Sequence, residues 1–430
     1  WSDPQVEHNA ILVRHATGER TVGMPIRHGP APDAAVAPAT LPAERAGGPL
    51  AGLKICDFGS FVAGPYLSVL LGDLGAEVIK IEGLAGDVNR ALFRAFACTN
   101  RGKRSICVDV KSPGGSEVAR RLAGWADIVH HNFRPGVSAK LGLDAATLQR
   151  AKPEIIVGET CGYGVDGPKA QHAGFDMLFQ AFCGHEFRGS GEGDVPLWNR
   201  SAIADFGGGL LTAIGVLFAL LQRRRGKAPP SIYVTLLDTG LYLMSELIER
   251  ADGSFAGAPR MNREQTGTHP AERLYRTADG WIAIAVRGSA MARRLANALG
   301  LEGALDDDPL AWGEAEGAAI AAALAPRPLA EAASLLDGAG IWHEVAHPDR
   351  RDRALADAAL QHSGIILRTD DPEFGDHRQI GPAFRFSRTP LALAGLGQTP
   401  RQGEHTREIL AALGYTEDEI AALVAARAVA

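Results

Sequence analysis

The chain has 430 residues, of which 22% are charged and 46% hydrophobic, and its formal net charge is −6. This length predicts two domains with sizeable cores, and the slightly acidic balance argues against a dedicated nucleic-acid binder. Five cysteines without a CxxC pair indicate reduced thiols and a cytoplasmic protein, and the absence of paired metal-ligand spacing predicts no metal site.

The first 47 residues have poor periodicity and do not look like the start of a domain. They resemble a segment near the other end of the chain. Val22–Pro32 (VGMPIRHGPAP) parallels Ile380–Pro390 (IGPAFRFSRTP), and further upstream Ala10–Arg20 parallels Ser363–Glu373. Two interpretations stay open: residues 1–47 are the tail of a preceding, related unit in a tandem fusion, or they are an extended arm with accidental similarity.

Pro49–Glu82 predicts one complete β-α-β unit. The apolar run Leu53–Phe58 predicts a strand, and Ala63–Leu74 carries leucines at helical spacing between Gly64-Pro65 and Gly75. Glu77–Glu82 alternates as a second strand. Because such a unit requires a parallel sheet with its crossover on one face, the chain opens an α/β domain.

Strands continue to alternate with helices as far as Thr160. The predicted elements are strand Ser105–Val110, helix Pro113–Gly124, strand Asp127–His131, helix Ala145–Arg150 and strand Glu154–Thr160. This alternation predicts a doubly wound, mostly parallel sheet.

The segment Phe206–Leu221 is uncharged and resembles a membrane span. A span needs roughly 20 such residues. Three glycines at the start and Asp205 directly before them favour a buried core helix with an acidic N-cap. We therefore predict no membrane association.

The second half of the chain predicts a small domain and a helical end. Leu274–Val286 indicates a hairpin that turns at Asp279-Gly280. Alanine-rich helices are predicted over Ala290–Gly340, and Thr406–Ala426 predicts an amphipathic helix pair around Gly414.

Three loops carry binding motifs. Gly162–Gly167 (GYGVDG) satisfies GxGxxG, but Pro168 follows where a helix should begin, so we interpret it as a turn-forming loop. Asn100–Arg104 (NRGKR) and Asn132–Gly136 (NFRPG), the latter followed by Lys140, are basic. These cations either hold phosphates or form a solvated surface.

Four carboxylates fall close together: Asp176, Glu192, Asp194 and Asp205. Glu192 and Asp194 look like solvated loop charges. Asp205 is either a plain N-cap or a functional group at a helix dipole, where the glycines would let a ligand approach. Because no Ser-His-Asp order or HExxH motif is present, a carboxylate is the best candidate for chemistry if the chain is an enzyme.

Seven ordered blocks between Pro49 and Leu423 strongly resemble the family III CoA-transferases, a group that includes acyl-CoA racemases. The blocks are LAGLKICDFGSFVAGPYLSVLLGDLGAEVIKIE, NRGKRSICVDVK, NFRPG, GYGVDGP, ADFGGGL, LYRTADGW and GEHTREILAALGYTEDEI. The resemblance implies a Rossmann-like CoA-binding domain over residues 48–250, a small α+β domain over 251–345, and a return segment, 346–430, that completes the large domain. It also implies an interlocked homodimer, or an interlocked pair with a tandem-fused partner half.

The resemblance further implies an acyl-CoA and a small carboxylic acid as substrates, with coenzyme A lying across the large domain. The CoA-contact positions of the family fall on Val62, Ala63, Lys103, Asn132, Phe133 and Lys140.

The family's nucleophile falls on Asp205, which would form a mixed anhydride and then an enzyme-CoA thioester. Asp176 falls at an often acidic position and would assist or position. The histidine that racemases pair with this aspartate is Phe175 here, which disfavours racemisation because inversion needs two opposed acid/base groups. Two alternatives remain: a non-catalytic half of a tandem fusion, and a transferase that also cleaves its CoA product.

Overall fold

The computed structural model describes residues 1–38, 47–191, 193, 195–371, 375–393 and 395–430. Glu192, Asp194 and Glu373, named above, lie outside the described residues. The chain divides into two compact units: the first comprises Trp1–Cys183, Arg200–Ala256 and Asp357–Ala430, and the second comprises Gly184–Asn199 and Gly257–Ala356.

The strands, in chain order, are β1 (Leu12–Arg14), β2 (Arg20–Val22), β3 (Arg27–His28), β4 (Lys54–Asp57), β5 (Glu77–Glu82), β6 (Arg104–Cys107), β7 (Ile128–His131), β8 (Ile156–Cys161), β9 (Ile232–Thr235), β10 (Ile248–Glu249), β11 (Phe255–Ala256), β12 (Gly267–His269), β13 (Glu272–Arg276), β14 (Trp281–Ala285), β15 (Trp342–Val345), β16 (Ile366–Asp371) and β17 (Gly375–Ile380).

The helices are α1 (Pro4–Asn9), α2 (Ala63–Asp73), α3 (Phe93–Asn100), α4 (Pro113–Trp125), α5 (Val137–Leu141), α6 (Ala145–Ala151), α7 (Asp176–Cys183), α8 (His185–Gly189), α9 (Ile203–Arg224), α10 (Leu236–Tyr242), α11 (Gly288–Leu299), α12 (Glu314–Leu324), α13 (Leu329–Gly338), α14 (Arg350–Ala356), α15 (Ala358–His362), α16 (Thr406–Ala412) and α17 (Glu417–Ala425). Val88–Ala91 and Pro309–Ala311 form short 3-10 helices.

The largest sheet of the described chain has seven strands in the order β3-β9-β8-β7-β4-β5-β6. Six strands run parallel and β3 is antiparallel at one edge. Strands β4, β5 and β6 follow one another towards one edge of the sheet. The next strand, β7, lies on the other side of β4, and β8 and β9 continue towards the opposite edge. The strand order therefore reverses between β4 and β7, which is where open α/β sheets leave a crevice for ligands.

Helices cover both faces of this sheet because its central strands are apolar on both sides. Successive residues of β4 illustrate the alternation, since Ile55 joins one core and Cys56 the other. The Cys56 side packs with α4, α16 and α17, whereas the Ile55 side packs with α2 and α9. The predicted β-α-β unit is confirmed as β4, α2 and β5.

The long apolar helix α9 packs closely against its neighbours. A Cβ on Gly209 would lie 2.7 Å from the Ala63 carbonyl oxygen, and one on Gly208 would lie 2.7 Å from the Leu236 side chain. The glycines of this helix therefore serve helix packing, and the expectation that they admit a ligand is wrong. This helix is long and apolar enough to cross a membrane, but half of its most apolar window is buried inside the protein, as a core helix would be.

Residues 1–38 belong to the first unit, in which they form an arm. Helix α1 is followed by the hairpin β1–β2 and by β3, which pairs with β9 and forms one edge of the large sheet. A second hairpin, β16–β17, follows α15 near the other end of the chain. Leu12 opposes Val22 in the first hairpin, and Ile366 opposes Ile380 in the second. If Val22 corresponds to Ile380, these registers make Leu12 correspond to Ile366. The alignment of Ala10–Arg20 with Ser363–Glu373 pairs Leu12 with Ile365 instead, so the two differ by one residue.

The second unit contains the antiparallel sheet β12-β13-β14-β15 and helices α11 to α13. The hairpin predicted over Leu274–Val286 is confirmed as β13 and β14. The Thr277 and Gly280 backbones close its turn with a hydrogen bond of 3.0 Å.

All five cysteines are free thiols. Burial raises the pKa of each one above its ordinary value, to about 11 for Cys107 and about 12 for Cys183. Each thiol is therefore protonated at neutral pH.

Candidate active site

A cavity of roughly 190 Å³ lies in the first unit at the carboxyl ends of β4, β7 and β8. Ser60, Phe61 and Ala63 line it after β4, whereas Asn132 to Pro135 line it after β7. Cys161 and Gly162 contribute from β8, and Asp205 contributes from α9. The cavity therefore occupies the crevice that the reversal of strand order creates.

Asp205 is the third residue of α9, and the N-cap is Ala202, in a left-handed conformation with φ of 48°. The interpretation of Asp205 as a plain N-cap is therefore wrong. Its carboxylate is half-buried, lines the cavity and accepts no hydrogen bond from the residues that the structure describes. An anion in this position is free to contact a ligand.

Asp176, the first residue of α7, caps the N-terminus of α9 although it is distant in sequence. Its Oδ1 accepts hydrogen bonds from the backbone N–H groups of Ala204 at 2.7 Å and of Asp205 at 3.2 Å. Its Oδ2 accepts from the Gln180 amide. Ala202 has no side-chain oxygen, so the buried carboxylate of Asp176 satisfies helix donors that would otherwise have no partner.

The carboxylates of Asp176 and Asp205 interact electrostatically. Burial and, to a smaller extent, the negative charge of Asp176 raise the pKa of Asp205 to about 7. The backbone N–H groups at the start of α9 and the Gln180 amide all donate hydrogen bonds to the Asp176 carboxylate. Asp205 is therefore divided between its acid and anion forms near neutral pH.

The Asn132 side chain holds the loop between β4 and α2 with two hydrogen bonds. Its Oδ1 accepts from the Ser60 N–H and its Nδ2 donates to the Ser60 carbonyl, both at 2.9 Å. The next residue, Phe61, has a φ of 62°, a conformation that is uncommon outside glycine. These two hydrogen bonds fix the segment from Ser60 to Ala63, which leads into α2 beside the cavity.

Lys103 is buried beneath this loop. Its ammonium donates to Asp57 at 2.8 Å, to the Pro65 carbonyl at 2.9 Å and to Asn100 at 3.0 Å. Although burial opposes ionisation, Lys103 holds the pKa of Asp57 well below its usual range. All three ammonium protons are engaged within the chain, so we assign Lys103 a structural role and leave it out of the proposed CoA contacts.

Phe133 stands between this cavity and a second one of about 220 Å³, which lies beyond the ends of β4, β5 and β6. Ser60, Phe61 and Phe133 line both cavities. The Phe133 ring stacks on His131 with centroids 5.0 Å apart. Lys140 is exposed on α5 and does not line either cavity, whereas Arg134 is exposed and lines the first one.

Several aromatic and basic residues of the cavity, among them Phe61, Arg134 and His172, were not singled out as binding residues from the sequence. Phe61 and Phe175 form an edge-to-face pair with centroids 5.5 Å apart, and both rings are exposed. His172 also lines the cavity and packs against Tyr163. The NFRPG motif contained the signal for Arg134, but Phe61 and His172 had no local signal, because only the fold brings their loops together.

The GYGVDG loop lies beside the cavity and packs against the arm. A Cβ on Gly167, where φ is 95°, would lie 2.6 Å from the His8 ring and 2.7 Å from the Gln5 amide. Its glycines therefore fit the turn and the close packing of α1. The prediction of a turn-forming loop is confirmed.

Comparison with known proteins assigns the family. The model described as CoA-transferase family III matches residues 50–406. Human alpha-methylacyl-CoA racemase is 30% identical over 389 residues, which cover 86% of this chain and 95% of that protein. The succinyl-CoA:glutarate CoA-transferase of Mus musculus is 29% identical, over 87% of this chain and 89% of that protein.

A solved structure gives the same assignment. The CAIB/BAIF family protein from Brucella suis aligns with a TM-score of 0.70 and 27% identity, covering 85% of this chain and all of that chain. The fold and the family match are thus those of a CoA-transferase-type enzyme. The chain belongs to CoA-transferase family III.

Proposed function

We propose that this enzyme moves coenzyme A from an acyl-CoA donor to a carboxylic acid, with Asp205 as the covalent nucleophile. The observation that carries the proposal is the Asp205 carboxylate, which lines a cavity at the carboxyl edge of the sheet and accepts no hydrogen bond from the described residues. In the large, Rossmann-like domain, the CoA would lie across both cavities, and its thioester would lie in the first. Val62, Ala63, Asn132 and Phe133 would border it.

The reaction needs only one carboxylate from the enzyme. An Asp205 oxygen attacks the thioester carbon, and the C–S bond breaks to give a mixed anhydride and the CoA thiolate. The thiolate attacks the Asp205 carbonyl and releases the donor acid, which leaves an enzyme-CoA thioester. The acceptor carboxylate then attacks this thioester and expels the thiolate, which takes the acyl group from the new anhydride and frees Asp205.

This cycle neither consumes nor releases a proton, so an isolated carboxylate is chemically sufficient. Racemisation would need a second acid/base group opposite Asp205, and at the position where the racemases of the family carry that group this chain has Phe175. Hydrolysis of the intermediates is limited if the acyl group and thiolate stay bound, because effective molarities on the order of 10⁵ M outcompete water. The half-buried position of Asp205 supports such exclusion of water.

The phosphates of CoA need cationic partners near the mouth of the cavity. Arg134 lines the cavity and Lys140 is exposed one helix further on, so both suit this role. We expect the protein to be cytoplasmic and to work with a partner unit of the same family, as the resemblance implies.

The direct test is transfer from succinyl-CoA to glutarate, with Asp205→Asn as the variant and Asp252→Asn as the matched control at an exposed turn. We expect Asp205→Asn to lose at least about 10³-fold in kcat while the control keeps its rate. Other acid pairs are tested in parallel, because the family does not fix the acyl group.

Hydroxylamine trapping locates the intermediate. After addition of acyl-CoA, the aspartyl thioester should become a hydroxamate on the peptide that contains Asp205. A chain that turns over without this adduct contradicts the covalent mechanism. A chain that gives neither product nor adduct with any acid pair would be a non-catalytic half, and cleavage of the CoA product would indicate a lyase.

A further inference from the structure

Phe61 is held in a backbone conformation that its residue type disfavours. Its φ of 62° lies in the left-handed region, and of the six non-glycine residues with positive φ in the described parts of the chain, Phe61 alone is aromatic. Glycine adopts this conformation without steric cost, whereas a bulky residue there is a strained outlier. Such strain persists only where the surrounding structure enforces it, and it is concentrated at functional sites. The Asn132 side chain enforces it here through Ser60, the residue before Phe61.

The Phe61 ring does not stabilise the fold as a core residue would. It is 40% exposed, and its edge-to-face partner Phe175 is 51% exposed. Neither ring belongs to a hydrophobic core formed by the described residues. The two rings come from separate loops, one after β4 and one directly before α7. An exposed aromatic pair that is supported by a strained backbone is suited to bind an apolar ligand.

The aromatic pair lies at the end of the cavity where the acyl group would react. Both rings line the cavity of roughly 190 Å³ together with Asp205. Phe175 directly precedes Asp176, whose carboxylate accepts hydrogen bonds from the Ala204 and Asp205 N–H groups. The rings are therefore close to the carboxylate that we propose as the nucleophile, where the acyl group of a thioester has to lie.

The charges around Asp205 do not provide for a second carboxylate on the acyl group. Asp205 lies beside the Asp176 carboxylate, and no cation of the described residues lowers the pKa of Asp205. Arg134 and His172 line the cavity, but neither is among the groups whose charge acts on Asp205. A dicarboxylic acyl chain would therefore place its free carboxylate against aromatic rings and near negative charge, which is unfavourable without a cationic partner.

The volume of the cavity limits the size of the acyl group. An apolar cavity of about 150 Å³ holds one benzene molecule, and the cavity beside Asp205 has roughly 190 Å³. It therefore has room for one aromatic ring and the carboxyl group of its acid. Phe61 and Phe175 can contact such a ring in edge-to-face or offset-stacked arrangements, which are the preferred geometries of aromatic pairs.

We propose that the acyl group handled at Asp205 comes from a monocyclic aromatic monocarboxylic acid, and that Phe61 and Phe175 determine this specificity. The inference rests on the proposed function, because it names the substrate class of the same site. The donor acid and the acceptor acid react in turn with one carboxylate, so the aromatic pair contacts each of them. The expected exchange is therefore between two aromatic acids of similar size.

Binding to the Asp205→Asn variant of the polypeptide as the cell produces it tests the specificity without requiring turnover. Dissociation constants are measured by calorimetry for phenylpropanoyl-CoA, succinyl-CoA and free CoA. We expect phenylpropanoyl-CoA to bind at least about 10-fold more tightly than succinyl-CoA, because only its ring gains contacts with the aromatic pair. Equal affinity for the two thioesters overturns the inference. Tighter binding of succinyl-CoA also overturns it, and loss of that advantage in His172→Gln would identify a dicarboxylate site.

Leucine variants in the same background assign the preference to the two rings. Phe61→Leu and Phe175→Leu should each reduce the preference for phenylpropanoyl-CoA over succinyl-CoA by about 5-fold. Phe255→Leu is the matched control, because Phe255 is 53% exposed in an edge-to-face pair with Trp1, also with centroids 5.5 Å apart, and lines neither cavity. The control should keep the full preference. An undiminished preference in both cavity variants, or an equal loss in the control, contradicts the assignment.

Phe61→Gly separates the strain from the ring. Because glycine adopts a φ of 62° without steric cost, this variant should unfold at the temperature of the unsubstituted chain or above it, and should still lose the preference. An unfolding temperature below that of the unsubstituted chain would mean that the ring holds the fold, which overturns its role in specificity. If neither thioester nor free CoA binds, the proposed function fails and the inference fails with it. If they bind without preference for the aromatic acyl group, only the inference fails.

Discussion

Replacing Asp176 with asparagine should shift the pH dependence of the transfer reaction. The amide keeps an oxygen that can accept from the Ala204 and Asp205 N–H groups, so the cap of α9 is retained, and the Gln180 amide has only to turn over to present its oxygen to the new NH2 group. The substitution removes the negative charge that opposes ionisation of Asp205. It therefore separates the electrical effect of Asp176 from its structural one.

The magnitude follows from the two causes of the Asp205 pKa. It lies at about 7 instead of 3.8, and burial contributes the larger part while Asp176 contributes the smaller. Removing the smaller part should lower the midpoint by roughly one pH unit. The direction is fixed, because loss of a nearby negative charge favours the Asp205 anion.

The assay is kcat/KM between pH 5 and 9 for the wild-type protein and for Asp176→Asn. Because the attacking group is the anion, the wild-type rate should rise with pH through a midpoint near the Asp205 pKa, about 7. The variant should rise earlier, at a midpoint roughly one unit lower. Asp176→Ala, which also loses the cap, should in addition lose about 1 kcal/mol of unfolding free energy.

An unchanged midpoint in Asp176→Asn, together with an unchanged unfolding free energy, would refute the electrical coupling. A midpoint that moves upward would refute its sign. In either case the rise of kcat/KM near neutral pH would report the titration of a group other than Asp205.

Three further predictions concern stability, each measured by urea unfolding. Lys103→Met should cost about 3–5 kcal/mol, because it leaves Asp57 buried without its cation; a cost near zero would contradict the pairing. Gly209→Ala should cost about 1–3 kcal/mol of unfolding free energy by forcing α9 from α2, whereas Gly124→Ala, whose Cβ would have no atom beyond its own helix backbone within 4 Å, should be neutral or stabilising. Asp205→Asn should gain stability relative to wild type as pH rises from about 4 to about 7, because the raised pKa makes the folded wild-type state lose stability over that window; a constant difference would contradict it.

Local patterns were sufficient for much of the fold. The strand Glu77–Glu82 has the bounds that its alternation predicts, and α2 ends at Asp73, one residue before the predicted end. The hairpin at Asp279-Gly280 was equally visible, because its turn residues and flanking apolar residues are adjacent in sequence. Helix α9 was found as a core helix, although it begins at Ile203, before Asp205.

The candidate site depends on contacts that are distant in sequence. Asp205 looked like an N-cap because the capping oxygen comes from Asp176, 28 residues before the Ala204 N–H that it accepts. Lys103 looked like a phosphate ligand because its partner Asp57 is 46 residues away. The resemblance to the CoA-transferases selected Asp205, but only the fold shows that its carboxylate faces a cavity.

The five protonated cysteines, of which three are buried and two are partly exposed, make this protein convenient for site-specific labelling. Maleimide and iodoacetamide reagents react with thiolates, which the native sulfurs scarcely form near pH 7. A fluorophore or spin label attached through a cysteine engineered on the surface should therefore modify that position selectively. Distance measurements across the protein become feasible without first replacing its natural sulfur residues, and the packing around Cys56 and Cys161 stays undisturbed.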